Sequence, residues 1–412
     1  MTPMEQTYFR KGLGLKKEVA GALSADYHSR LVDRVREQDY QLSAGGLTFR
    51  LAREFGFCYG VDRAVEYAYQ VDAKFPDKRV FLVGEIIHNP HVNDKLEGMG
   101  ITVLRTDGDG RFDFAGVNAE DVVIIPAFGV TVKDLEQLRD IGCVLIDTTC
   151  GSVLNVWKRV EKYAKEGYTA LIHGKHFHEE SKATASQVTR YPGGKYLIVR
   201  NMEEALVVCR FIEEEGDPKT IEKRFEHAMS PGLSAERDLS RIGIANQTTM
   251  LANESLAIAA RMREAMIRRF GEEALAEHFQ SFDTICSATQ ERQDAVLDLI
   301  RQPLDAMIVI GGYNSSNTNH LAKICSERTT TYHISDADCI DPERGTIRHK
   351  PVGAEAEVET EDWLACDEMV IGITAGASTP NNKIGEAMER TMKSREVEVE
   401  GGGMSDGGAE TV

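Results

Sequence analysis

The chain has no CxxC pair among its eight cysteines, which are scattered over 412 residues. That excludes the knuckle of most structural zinc sites and the framework of a small disulfide-stapled domain. It is also short of basic residues: 48 Lys and Arg against 66 Asp and Glu leave a formal net charge of -18. A phosphate backbone needs a basic face, so nucleic acid is not an expected partner. No apolar run approaches the roughly 20 residues of a membrane-spanning helix, and no glycine-rich phosphate loop of the Walker or dinucleotide type occurs. No charged-then-apolar segment follows Met1, and acidic residues from Glu5 to Asp39 interrupt the basic ones of the first 48 residues, unlike a transit peptide. Together these absences predict a protein of the reducing cytoplasm, with no membrane association. With 42% hydrophobic residues the chain can bury several cores, and at roughly 100–200 residues per domain we expect three.

What is present is organised around Asp147-Thr148-Thr149-Cys150. The four residues close an apolar run from Cys143 to Ile146 and open a helical pattern through Val153, Val156, Trp157, Val160 and Tyr163. A cysteine thus stands where a strand hands over to a helix. The construction recurs at Asp283-Thr284-Ile285-Cys286 and, more loosely, at Phe55-Gly56-Phe57-Cys58. Unpaired N–H groups and the positive dipole end of a helix start favour a thiolate, so Cys58, Cys150 and Cys286 are placed to be ligands.

From Leu47 onward, strand-loop-helix units fall into three cycles of three. The first unit carries the cysteine; the second ends its strand in GEIIHNP, HGKHFHEES or GGYNSSNTN; the third reads IIPAFG, GIANQTTM or GITAGASTP. His88, His178 and Ser315 follow their respective cysteines by 30, 28 and 29 residues. Strands alternating with helices predict parallel sheets, which present ligands at the carboxyl ends of their strands. The expected organisation is an N-terminal helical extension over 1–48, α/β domains over 49–141, 142–279 and 280–392, and a disordered glycine-rich tail over 393–412. The second domain carries an acidic helical insertion between Asn201 and Asp238, and the third a loop-rich stretch from Asp336 to Glu359.

A single buried cysteine is ordinarily a small hydrophobe, and Cys143, Cys209, Cys325, Cys339 and Cys366 keep that reading because no repeat equivalence singles them out. Three cysteines at one repeat position, with no fourth, suit an iron-sulfur cube that keeps one iron open. Ser315, Ser316, Asn317, Thr248 and Ser378 stand where helix caps stand, and capping and anion binding use the same positions. Glu180, two residues beyond His178, reads either as a solvated helix-start carboxylate or as a proton relay.

The motifs FGFCYGVDRAV, GEIIHNPHVN, DTTC, HGKHFHEES, IANQTTML, TICSATQERQDA, GGYNSSNTNHL and TAGASTP, in that order from about Leu47 to Met388, resemble the LytB/IspH-type 4-hydroxy-3-methylbut-2-enyl diphosphate reductases. The N-terminal extension and the IHGK and PAFG wording resemble the long cyanobacterial and plant-plastid branch. The resemblance implies a trefoil of three pseudo-threefold-related α/β domains around a central 4Fe-4S cluster held by Cys58, Cys150 and Cys286. It implies a diphosphate held by His88, His178, Ser315, Ser316, Asn317 and Ser378, with Glu180 and Thr248 in the proton path. It further implies reductive dehydration of a hydroxylated allylic diphosphate to isopentenyl and dimethylallyl diphosphate, with electrons from a ferredoxin or flavodoxin. Shorter members have histidine where Phe128 stands and most have proline where Gly151 stands, so no hydrogen bond is expected from Phe128. A quinolinate synthase-like dehydratase and a cluster-bearing redox or iron sensor are the other readings; the GEIIHNP, HGKHFHEE and NSSNTN loops favour the reductase.

Overall fold

In the computed structural model, which describes residues 8–108, 110–214 and 216–397, the strands gather into three sheets and a small antiparallel ribbon. The first sheet runs in the order Tyr8–Phe9, Val144–Asp147, Val122–Ile125, Val80–Val83, Thr102–Leu104. The second runs Phe279–Ser281, Ile242–Asn246, Thr169–His173, Lys195–Val199, and the third Thr331–Ile334, Ala306–Ile310, Met369–Ala375, Leu47–Leu51, Gln41–Ala44. All neighbouring strands are parallel except Gln41–Ala44 against Leu47–Leu51. Val122–Ile125, Thr169–His173, Ile242–Asn246 and Ala306–Ile310 are buried at every residue. Helices covering both faces leave such strands no solvent side, which is why they read as unbroken apolar runs rather than alternating ones. The fold is therefore an α/β trefoil of parallel sheets. Among the described residues no helix is long and apolar enough to cross a membrane.

Two features depart from the sequence reading. Each sheet has four equivalent parallel strands, not three: Thr102–Leu104, Lys195–Val199 and Thr331–Ile334 add an outer strand beside the second unit. These three begin at exposed or half-buried residues and sit at sheet edges, where the unbroken apolar run that flags a central strand is not required. The expected domain limits also shift. Leu47–Leu51 pairs in the third sheet, Val144–Asp147 in the first and Phe279–Ser281 in the second, so the strand before each cysteine closes the preceding sheet. The helix after each cysteine packs onward: Val61, Ala64 and Val65 join the core of the first sheet, Val156, Val160 and Tyr163 that of the second, and Val296 and Leu299 that of the third. Each cysteine therefore lies in a crossover between two units. Local pattern cannot assign such a strand, because its partners are distant in sequence.

The extension does form two helices, Lys16–Tyr27 and Arg30–Glu37, with Ser29 capping the second. It also supplies edge strands, Tyr8–Phe9 against Val144–Asp147 and Gln41–Ala44 against Leu47–Leu51, covering backbone that would otherwise be an open edge. Tyr8 Oη donates to Asp147 Oδ2 at 2.6 Å and Arg10 Nε does so at 3.1 Å, tying the extension to the DTTC loop. The insertion is helical as expected, with helices Met202–Glu214, Pro218–Arg224 and Ala235–Asp238. The loop-rich stretch from Asp336 to Glu359 also contains a turn of 3-10 helix and the ribbon Ile340–Asp341, Thr346–His349, Val358–Thr360. Of the tail, Ser394–Val397 turns back on the last helix and Val397 packs on the third core; residues 398–412 lie outside those described.

Candidate functional site

Cys58, Cys150 and Cys286 are the N-cap residues of the helices Tyr59–Lys74, Gly151–Lys165 and Ser287–Leu299. Each is pinned in the same way. The N–H of Cys58 donates to Ala377 O at 3.1 Å, that of Cys150 to Ala127 O at 3.0 Å, and that of Cys286 to Thr248 O at 3.4 Å. The acceptor is in every case in the loop following the neighbouring parallel strand, so three equivalent crossovers bring three thiols to one cavity. None of the eight cysteines is in a disulfide, and Cys143, Cys209, Cys325 and Cys339 are buried in separate cores.

Helix-start N–H groups do not make Cys58 and Cys286 acidic. Burial raises Cys58, against the opposing N–H of Val61 and the charge of Arg292, and burial pushes Cys286 up to about 11 despite the hydroxyl and N–H of Thr289. The expectation of a ready thiolate thus fails for these two in the protein alone, since loss of water outweighs a few dipoles. Only a bound cation would deprotonate them.

The residues fit a thiolate-bound metal centre. The donors are soft, convergent and three in number. Beside them Gly60 leaves a cradle: a Cβ there would lie 2.5 Å from Cys150 Sγ and 3.9 Å from Cys58 Sγ. Gly151, where most family members have proline, stands exposed in open space at the first helical position, where a backbone N–H is unpaired in any case, so the helix forms without it.

The same cavity, about 670 Å³ of non-atom space with its mouth included, is also lined by His88, His178, Glu180, Thr248, Ser315, Ser316, Asn317, Ser378 and Phe128. Every residue singled out from the sequence is therefore brought together. His178 and Ser315 are N-caps, accepting from Glu180 N and Thr318 N. Asn89 rather than His88 caps the helix Pro90–Gly98, which turns the His88 ring inward to Nε2–Nε2 contact with His178 at 3.1 Å. Phe128 stacks on His88, ring centres 4.3 Å apart, and meets His178 edge-on. Asn317 Oδ1 accepts from Ala377 N, while its Nδ2, buried, has no hydrogen-bond partner among the described residues. Ser378 Oγ donates to His88 O at 3.1 Å. Burial, then the neighbouring His88, Lys175 and Lys182, hold His178 well below the usual histidine range, so it is neutral.

Glu180 is 1% exposed. It accepts from Thr248 N at 2.6 Å and from Thr248 Oγ1 at 2.9 Å, and burial pushes its carboxyl up to about 7 despite both donors. A carboxyl poised there can both hold and release a proton near neutrality. Glu85, Asn314, Gln247, Thr289 and Arg292 escaped the sequence reading. Gln247 bridges Ser181, the N–H of Lys175 and Ser316, and Arg292 donates to Gly56 O at 2.7 Å. Glu85 was visible as the residue three before His88 in GEIIHNP, but nothing local marks it as a partner of that ring.

Three sheets whose crossovers bring three thiols into one cavity, beside a neutral histidine and a buried carboxyl, define a three-unit α/β protein with a candidate thiolate metal site. The model of the LytB protein family matches residues 49–392, and the chain belongs to that family. It is 46% identical over 392 residues to a 4-hydroxy-3-methylbut-2-enyl diphosphate reductase of Gloeobacter violaceus, covering 94% of this chain and 93% of that one. It is likewise 46% identical over 393 residues to the enzyme of that name from Thermosynechococcus vestitus, covering 95% and 96%. A solved structure of (E)-4-hydroxy-3-methyl-but-2-enyl diphosphate reductase, titled the terminal enzyme of the non-mevalonate pathway, aligns with TM-score 0.51 at 28% identity, over 84% of this chain and 99% of that one. A reductase structure from Plasmodium falciparum, at 21% identity and TM-score 0.61 over 84% and 87% of the chains, shares the fold.

Proposed function

We propose that this chain catalyses the reductive dehydration of (E)-4-hydroxy-3-methylbut-2-enyl diphosphate to isopentenyl and dimethylallyl diphosphate. The observation that carries the reading is the meeting, in one cavity, of three crossover thiols with the Glu180–Thr248 pair and the His88, His178, Ser315–Asn317 and Ser378 loops. Family membership and the names of the relatives support it.

Cys58, Cys150 and Cys286 would hold a 4Fe-4S cluster, which when bound supplies single electrons and a Lewis-acidic iron. The remaining steps belong to side chains. The diphosphate takes hydrogen bonds from the unpartnered Nδ2 of Asn317, the hydroxyls of Ser315, Ser316 and Ser378 and the histidine rings. Orientation follows, because these donors sit on four different loops held by rigid strands. Glu180 gives a proton to the departing hydroxyl, so that water and not hydroxide leaves, and Thr248 holds the carboxyl in place and relays the replacement. The balance is two electrons and two protons in, one C–O bond broken, one C–H bond formed and one water out. We place the reaction in the cytoplasm, with a ferredoxin or flavodoxin as donor.

The test is anaerobic turnover of the hydroxylated allylic diphosphate with reduced viologen. Formation of both isomeric diphosphates is the expected result. A reconstituted, cluster-loaded protein that yields neither would overturn the assignment in favour of a sensor.

A further inference from the structure

The donor and acceptor roles of the two histidines are fixed by a backbone group. The N–H of Glu180 points at His178 Nδ1 at 3.1 Å, and a backbone N–H can only donate. His178 Nδ1 therefore carries the lone pair, and the neutral ring carries its proton on Nε2. That proton faces His88 Nε2 at 3.1 Å, making His88 Nε2 an acceptor. His88 must then carry its proton on Nδ1, where Glu85 Oε2 accepts it at 2.8 Å. Asn314 Nδ2 donates to the same Glu85 oxygen at 3.1 Å, fixing the carboxylate from the third unit.

Two consequences follow. First, His88, His178 and Glu179 offer three ligand atoms within 4.8 Å of one another, the outline of a cation site. It is a poor one: a metal on His178 Nε2 would leave that ring with no proton on either nitrogen, against the N–H of Glu180. Second, an anion entering the cavity meets a lone pair on His88 Nε2, which repels it.

We propose that Glu85 is a positioning residue that lets His88 take up a proton at Nε2 as the diphosphate binds, acting as the partly exposed counter-ion of the resulting imidazolium. The proposal rests on the diphosphate reading of the cavity. The proton comes from solvent or from the diphosphate itself, and no other bond changes. The groups facing His88 are Glu85 from its own loop, His178, the cap of the helix Glu179–Val188, Glu179 from that helix, and Glu180, whose carboxyl also feels the ring electrostatically. Asn314 and the Phe128 ring are its uncharged neighbours, and Lys175 and Lys182 act on His178 behind it. Of the carboxylates, Glu179 lies 3.6 Å from Nε2, on the side the anion must occupy. Glu85 stands behind the ring, on Nδ1, and stays paired while Nε2 turns to the ligand.

The test is competitive inhibition of the cluster-loaded enzyme by inorganic pyrophosphate, comparing wild type with Glu85→Gln from about pH 6 to about pH 8.5, a window that spans histidine titration. Glutamine still accepts from Nδ1, so the tautomer survives and only the charge is lost. Titration of pyrophosphate itself cancels in the ratio of the two inhibition constants. That ratio should rise about fivefold or more across the window, because one unit of lost stabilisation is tenfold. Glu85→Asp, which keeps the charge at altered reach, should give a ratio independent of pH. A flat ratio for Glu85→Gln would overturn the role of Glu85 while leaving the cavity assignment intact. Wild-type enzyme insensitive to pyrophosphate at every pH would overturn both.

Discussion

Glu180 and Thr248 meet twice across the second sheet: the carboxyl takes both the N–H and the hydroxyl of the threonine, at 2.6 and 2.9 Å, with no solvent contact. Both donors favour the charged form and burial disfavours it; burial wins, and the group settles at about 7. Turnover should therefore fall as pH rises through about 7, because the proton-donating form is lost. Glu180→Gln should keep cluster absorbance and substrate affinity while losing at least about tenfold in turnover, since a positioned general acid contributes roughly 10²–10⁴-fold. Thr248→Val removes the hydroxyl that opposes burial, so the alkaline limb should move to higher pH. Anaerobic pH–rate profiles at matched cluster content read both; full activity in Glu180→Gln would remove it from the mechanism.

The same carboxyl makes a stability statement. Its folded value lies above its ordinary value of 4.5, so the folded chain holds the proton more tightly than the unfolded one. That contribution is complete below the unfolded value and is lost as pH rises through about 7. Cluster-free Glu180→Gln should show a shallower loss of denaturation midpoint across this window than wild type. Parallel curves would show that the group is not titrating in the folded chain.

Cysteine to serine at 58, 150 or 286 should each abolish the visible absorbance of a reconstituted cluster, whereas Cys143→Ser and Cys325→Ser should cost stability and leave absorbance. Gly60→Ala should behave like a ligand mutant although it removes no ligand, because its methyl would fall 2.5 Å from Cys150 Sγ. Normal absorbance in Gly60→Ala would mean that the sulfurs need not converge there.

Asn317→Asp replaces a buried, unpartnered donor with a carboxylate facing the same space. Pyrophosphate binding should weaken roughly ten- to a hundredfold, the usual cost of one charge-assisted contact. Calorimetry measures it, and an unchanged affinity would move the anion elsewhere.

Tyr8→Phe removes the 2.6 Å bond to Asp147, a carboxylate that is 5% exposed. Loss of about 1–3 kcal/mol in unfolding free energy is expected, and because Asp147 Oδ1 also holds Thr149 N, the DTTC loop should lose hydrogen-exchange protection with it. Protection unchanged at Thr148 and Thr149 would confine the effect to the edge strand.

How much of this was legible before the structure differs from place to place. Cys58, Cys150, Cys286, His178 and Ser315 are readable because each caps a helix, and capping residues stand at a fixed offset from an apolar run. Glu180 is readable for the same reason, as the second residue of a helix whose cap is known. Glu85 is not, since its meaning depends on which nitrogen of His88 bears a proton, and that is decided by the N–H of Glu180 in another unit.

The sequence by itself determined the central strands and the helices that follow them, their threefold repetition and the chemical types delivered to the loops, because periodicity and capping are local and the repeat states them three times. Only the tertiary structure decided which sheet each cysteine's strand joins, and hence that the thiols sit at crossovers. It alone decided that burial overrides the helix starts at Cys58 and Cys286. Strand partnership and loss of solvent both depend on residues outside the local segment, and a local pattern carries no information about either.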